Sequence, residues 1–206
     1  MMKNLFQILC GLFLVVSYSS CMHSEEDKVD VLIIGGGASG VTSGIQSARM
    51  GANTLILEES TWLGGMLTSA GVSAVDGNYR LPAGLWGEFK NRLSDYYGGL
   101  DSLKTGWVSN VLFEPSVGNK ILHEMVAAEN NLKVWKQACL EEVKRTGDEW
   151  VAKVKVEGQG VKTVRAKVMI DATELGDVAK MCGVKYDIGM ESRDDTHEDI
   201  DSGKEE

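Results

Sequence analysis

Cysteine and histidine are scarce in this chain, and their placement removes several chemistries. Its 206 residues include 4 Cys and 3 His. No Cys-x-x-Cys occurs, and neither Cys139 nor Cys182 has a histidine cluster nearby, so neither a metal centre nor a redox-active cysteine pair is expected. His23, His123 and His197 are scattered. Positive charge is also short: 21 Lys+Arg stand against 30 Asp+Glu, a net charge of −9. No stretch interleaves basic with aromatic residues, which argues against a nucleic-acid partner. The long apolar run at the start, residues 5–16, is too short to span a bilayer. What remains, 43% hydrophobic and 25% charged, is ordinary globular composition with enough chain for one sizeable domain.

That apolar run follows Lys3 and is broken only by Gln7 and Gly11. A positive start, a run of this length and a small or hydroxyl-bearing end fit a secretory signal over residues 1–20. The end reads "SYSSC" and resembles a bacterial lipobox, although Tyr18 stands where such boxes usually carry Leu. The resemblance implies that Cys21 becomes the lipidated first residue of an exported protein. Several acyl chains on one cysteine satisfy the need for more than one anchoring chain. Residues 21–29 then read as an acidic tether, with Ser24-Glu25-Glu26-Asp27 similar to tags that send lipoproteins to the outer surface. Loss of residues 1–20 removes Lys3 and no acid, which moves the net charge from −9 to −10.

The next segment carries the chemistry. Val31-Leu32-Ile33-Ile34 reads as a strand buried on both faces. Gly35-x-Gly37-x-x-Gly40 follows directly and opens a helix of small residues ending near Gly51. A second strand, Thr54-Leu55-Ile56-Leu57, ends at Glu58. Gly35 permits the tight turn, Gly37 lets backbone amides reach a pyrophosphate at the helix N-terminus, and Gly40 lets helix and strand pack closely. The amides of Ala38 and Ser39 lie in that helix start. Glu58, 18 residues after Gly40, is placed to accept from both ribose hydroxyls. Strand, turn, helix, strand and acid together point to a dinucleotide, either NAD or FAD.

The choice between them rests on resemblance. After a five-residue gap beyond Glu58 come Gly64-Gly65-Met66, within "EESTWLGGMLTSAGVSAVDG". Later, "VMIDATELGDVAKMCG" gives a strand over residues 168–171 entering a turn and helix. The two segments resemble FAD-dependent oxidoreductases of the glutathione-reductase-like superfamily, in particular exported bacterial members with "GGMLTSGG"-like and "DATELGD"-like stretches. The resemblance covers about residues 30–195 and implies FAD as cofactor. It implies that Gly64, Gly65 and Met66 pass near the flavin side, and that Ala172 and Thr173 lie against the adenosine half. Asp177 is read as a cap for the helix that follows.

The segments between fit the same order. "LPAGLWGEFKNRLSDYYGG" predicts a helix with Leu85, Phe89, Leu93 and Tyr96 on its buried face and Trp86 beside them. "EPSVGNKILHEMVAAEN" predicts another, burying Val117, Ile121, Leu122 and Met125, with His123 as a surface histidine. A third strand covers residues 132–135. An antiparallel meander follows: residues 138–145, a turn at 146–148, residues 149–158 and residues 161–167. In the family, the residue at the position of Leu140 touches the adenine through its backbone, while a plain core leucine is the alternative.

The expected fold is therefore α/β: a Rossmann-like FAD-binding domain, residues 30–190, with a parallel sheet and an inserted antiparallel β-meander. Residues 191–206 read as an acidic tail. Family members continue for a few hundred residues that supply a substrate domain and the grip on the ribityl chain, so the domain is expected to be incomplete and no residue is assigned as catalytic. Three readings follow: the cofactor-binding portion of a flavin oxidoreductase with a small-molecule substrate, a non-catalytic nucleotide-binding lipoprotein, or one subunit completed by a partner chain.

The reading of the N-terminus has its own test. Cys21→Ala is expected to convert a detergent-extracted membrane protein into a soluble or unprocessed one. Identical fractionation of mutant and wild type would remove Cys21 as the anchor.

Overall fold

A computed structural model describes residues 26–75, 77, 79–107, 109–186, 188, 189, 196 and 197. The signal segment, Cys21 and most of the acidic tail lie outside the described residues. Six strands form one sheet in the order β3-β2-β1-β6-β5-β4. They are β1 Glu26–Ile34, β2 Thr54–Glu58, β3 Leu132–Lys136, β4 Ala138–Thr146, β5 Glu149–Val156 and β6 Gly160–Asp171. Strands β3, β2, β1 and β6 pair in parallel, whereas β4, β5 and β6 pair antiparallel. The helices are α1 Ala38–Arg49, α2 Gly84–Tyr97, α3 Pro115–Ala127 and α4 Asp177–Met181.

The sheet is covered differently on its two faces. Alternation along β1 and β2 sends Ile33 and Ile56 into a core built with Val41 and Ile45 of α1, Phe89 and Leu93 of α2, and Ile121, Leu122 and Met125 of α3. Leu32, Ile34, Leu55 and Leu57 face the other way, into a core with Ala138, Ala152, Val154, Val164 and Ala166 of the meander. Helices thus seal one side of the central strands and the meander the other, which is why their residues read as continuous apolar runs.

Four expectations change. First, β1 begins at Glu26, so residues 26–29, read as tether, extend the sheet. Arg165 anchors that extension, with Nε 2.7 Å from Glu26 Oε1, and Lys167 meets Asp30 at 2.7 Å. Second, the last meander strand and the strand over residues 168–171 are one element. The β6 residues opposite β5 pair antiparallel, as in Val154 with Lys162, and residues 163–171 pair in parallel with β1, as in Ile33 with Ile170. The strand runs on because no turn residue interrupts it and β1 offers a continuous ladder. Third, Val168 is 50% exposed, since α1 packs on β1, β2 and β3 and leaves that part of β6 open. Fourth, Tyr96 is exposed and Tyr97 packs on the core in its place. The Tyr97 hydroxyl accepts from the Glu114 amide at 3.0 Å, which ties α2 to the start of α3. His123 is half-buried, and burial, then repulsion from Lys136, pulls its imidazole below the usual range.

Helix α1 sits close on the sheet because Gly44 has no side chain. A Cβ there would lie 2.6 Å from Ile56 Cδ1. Gly44→Ala is expected to destabilise by roughly 1–3 kcal/mol through overpacking, and Ile56→Val alone by about 0.5–1.5 kcal/mol. Ile56→Val removes the clashing methyl, so the double variant should lose less than the sum of the two. Urea unfolding of all four proteins measures that coupling.

Candidate functional site

The glycine turn is a meeting point of three backbones. Gly35 takes φ +104°, and a Cβ on it would collide with the Ala172 carbonyl. Its amide donates to Leu57 O at 2.9 Å, while the Ala172 amide donates to Ile34 O at 2.8 Å. A Cβ on Gly40 would collide with the Gly35 carbonyl, so this glycine is what allows α1 to start so near the turn. Gly37 behaves oppositely: a Cβ there would meet no protein atom within 4 Å. It is the residue preceding α1, and no side chain caps the helix. The first intrahelical bond runs from Val41 N to Gly37 O at 2.9 Å. The amides of Ala38, Ser39 and Gly40 come before it and are the orphan donors of a helix start. No acidic side chain occupies that first turn. The result is an anion cradle: bare backbone, exposed N–H groups and the positive end of a 12-residue helix.

Glu58 reaches this cradle from the end of β2. Its Oε2 accepts from the Gly36 amide and its Oε1 from the Ser60 amide, both at 2.7 Å. Gly36, which the sequence reading passed over, is needed here because a Cβ on it would lie 2.8 Å from that same Oε2. The signal for it was the unbroken run of three glycines. Gly64 and Gly65 come from the following loop: the Gly64 amide donates to Gly36 O at 2.8 Å. That loop is held from below by Asn119 of α3, whose Oδ1 accepts from the Leu63 amide at 2.9 Å. Met66 is 54% exposed at the rim.

On the β6 side, Asp171 organises the chain. Its Oδ1 accepts from the Thr173 hydroxyl at 2.6 Å and the Thr173 amide at 3.0 Å, and its Oδ2 from the Ala179 amide at 2.8 Å. The Thr173 hydroxyl in turn accepts from the Asp177 amide at 2.8 Å. Helix α4 is therefore capped by Asp171 and Thr173, and Asp177, expected as the cap, is merely its first residue. Burial raises the Asp171 carboxyl, but the hydrogen bonds from Thr173 and the backbone amides hold it below the usual aspartate range.

These parts enclose one cavity of about 720 Å³, within the usual range for ligand sites. Gly35, Gly37, Ala38, Ser39, Glu58, Gly65, Met66, Leu140, Ala172 and Thr173 line it, while Gly40 and Gly64 support it from behind. Leu140 combines both of its expected roles, since its side chain is buried in the meander core and it also bounds the cavity. Four carboxylates line the space, Glu58, Glu59, Glu174 and Asp177, and among the described lining residues no Lys, Arg or His appears. Cys139 lies outside, and burial, then a hydrogen bond to Glu59, pushes its thiol up, away from the reactive thiolate.

A glycine turn between parallel strands, an acid at the end of the second strand and a meander over the sheet define a Rossmann-like dinucleotide-binding domain. The chain matches the family described as FAD dependent oxidoreductase over residues 30–203, and it belongs to that family. Its cofactor is FAD. Similar solved structures include a flavoprotein/dehydrogenase from Cytophaga hutchinsonii, 18% identical with TM-score 0.60, the match covering 80% of this chain and 44% of that one. A geranylgeranyl bacteriochlorophyll reductase-like protein from Thermoplasma acidophilum is 19% identical with TM-score 0.57, over 78% of this chain and 43% of that one. A p-nitrophenol 4-monooxygenase from Pseudomonas putida is 15% identical with TM-score 0.52, over 78% and 45% respectively. At these identities the likeness is one of fold. The chain spans less than half the length of these structures. No curated protein matches it.

The contrast between two glycines is testable. Gly37→Val should leave thermal stability nearly unchanged and abolish FAD binding, because its side chain fills only the cavity. Gly40→Ala should lower stability by roughly 1–3 kcal/mol, because it forces helix and turn apart. Thermal unfolding and flavin titration of both variants distinguish the two roles.

Proposed function

We propose that this chain is the cofactor-holding part of a flavin oxidoreductase acting on a small organic molecule. The observation that carries the reading is the pairing of the open position above Gly37 with Glu58, already held by two backbone amides. The Ala38, Ser39 and Gly40 amides hold the pyrophosphate, Glu58 accepts from the ribose hydroxyls, and Gly64-Gly65 keeps the chain clear of the cofactor. Ala172 and Thr173 flank the adenosine half, with Leu140 beside the adenine. When bound, FAD supplies two-electron exchange with an organic substrate, and the protein supplies orientation and exclusion of water around it. The surroundings of the flavin ring and the substrate come from a C-terminal half, either a continuation of this chain or a partner chain. The greater length of the similar structures supports that division.

The finer placement is in the glutathione-reductase-like superfamily, in an exported form anchored to a bacterial membrane through lipid on Cys21. The "SYSSC" stretch and the apolar run before it support the anchor. No helix among the described residues is long and apolar enough to cross a membrane.

With the C-terminal half supplied, the protein is expected to purify yellow and to release FAD rather than FMN. Glu58→Ala removes charge-assisted contacts worth about 1.5–3 kcal/mol, which is a weakening of FAD binding of roughly 10- to 150-fold. Preference for NAD over FAD in the same titration would overturn the reading.

A further inference from the structure

The cavity has a direction. At one end the Gln137 amide donates to Ser60 O at 3.2 Å, which sets the start of β4, with Ala138 and Leu140, beside Glu58. The middle is the start of α1. At the other end Gly65 lies against Gly37, a Cβ on it falling 3.1 Å from Gly37 Cα and 3.4 Å from Glu174 Oε1. Glu174 is exposed, lines the cavity and makes no hydrogen bond or ion pair among the described residues. Every other carboxylate oxygen discussed at this site is either satisfied by an amide or lies away from the Gly37–Gly65 approach. Glu174 alone presents an unengaged carboxylate there.

A carboxylate only accepts hydrogen bonds. Beside phosphate oxygens it meets like charge, and no cation in the cavity lining offsets that. The partners that suit it are hydroxyl donors just beyond the pyrophosphate. A dinucleotide with its adenosine ribose on Glu58 and its pyrophosphate on α1 sends its second half toward Gly65 and Glu174. In FAD the first group on that side is a ribityl chain, a polyol. We propose that Glu174 accepts hydrogen bonds from the ribityl hydroxyls and so favours FAD over adenine nucleotides that end at the pyrophosphate. The inference rests on FAD being the ligand of this cavity. It assigns part of the grip on the ribityl chain to this half of the protein.

The test is calorimetric titration of the full-length protein with FAD and, separately, with ADP, for wild type, Glu174→Ala and Glu174→Gln. Wild type should bind FAD more tightly than ADP. Glu174→Ala should weaken FAD by roughly 10-fold or more and leave ADP unchanged. Glu174→Gln keeps one acceptor oxygen and should fall between. Since Glu174 holds nothing else in place, urea midpoints without ligand should coincide for the three proteins. Unchanged FAD affinity in Glu174→Ala overturns the proposal. So does an equal change for FAD and ADP, which would place the carboxylate at the phosphates. Wild-type protein that binds ADP but discriminates against FAD would overturn the parent reading, an outcome visible before any variant is compared.

Discussion

Three backbones share one small space where β1, α1 and β6 meet, and the rest of the domain depends on it. Gly40 abuts the Gly35 carbonyl, and Gly35 abuts the Ala172 carbonyl. Only hydrogen atoms fit between them, so no side chain is tolerated at either glycine. The same contact fixes the axis of α1, and with it the direction of the orphan amides at the helix start. It also fixes where β6 ends, and hence where Ala172 and Thr173 enter the cavity. Cradle and walls are positioned by one steric constraint rather than by separate ones.

The site holds an anionic cofactor without cationic side chains. Attraction comes from amides and the helix dipole, which need no flexible side chain to be ordered. The carboxylate at Glu58 is ordered in advance: both oxygens already accept from amides at 2.7 Å, and each keeps further acceptor capacity. Asp171 applies the same device one layer away, fixing Thr173 and the start of α4 through its two oxygens. Acidic residues here work as acceptors for local donors, which is consistent with an overall charge of −9.

Strand β6 joins the two parts of the sheet. One end pairs with the meander and the other with β1, and the overlap at residues 163–166 pairs with both. The meander is thereby held over the face of β1 and β2 that the helices do not cover, and it brings Ala138 and Leu140 to the cavity. A shift in the register of β6 against β1 would move Ala172 away from Gly35 and slide the meander along the sheet. Fold and site share that register.

The cradle was legible because its information is local. Three glycines at fixed spacing, an apolar run on either side and an acid ending the second run specify turn, helix start and ribose acceptor within 30 residues. The Gly64-Gly65 pair and Ala172-Thr173 were readable by resemblance to family stretches, and the apolar faces of α3 and of most of α2 by helical period. What the sequence left open depended on partners far along the chain. The beginning of β1 at Glu26 is decided by Arg165, and the continuity of β6 by the ladder that β1 provides. Tyr97 instead of Tyr96 is decided by the Glu114 amide. Asp171 instead of Asp177 caps α4 because the turn over residues 172–176 folds the chain back onto the strand end. Local pattern determines which conformation a segment prefers. Which of two equivalent residues is used, and where a strand stops, is set by donors and acceptors that only the tertiary fold brings within hydrogen-bonding distance.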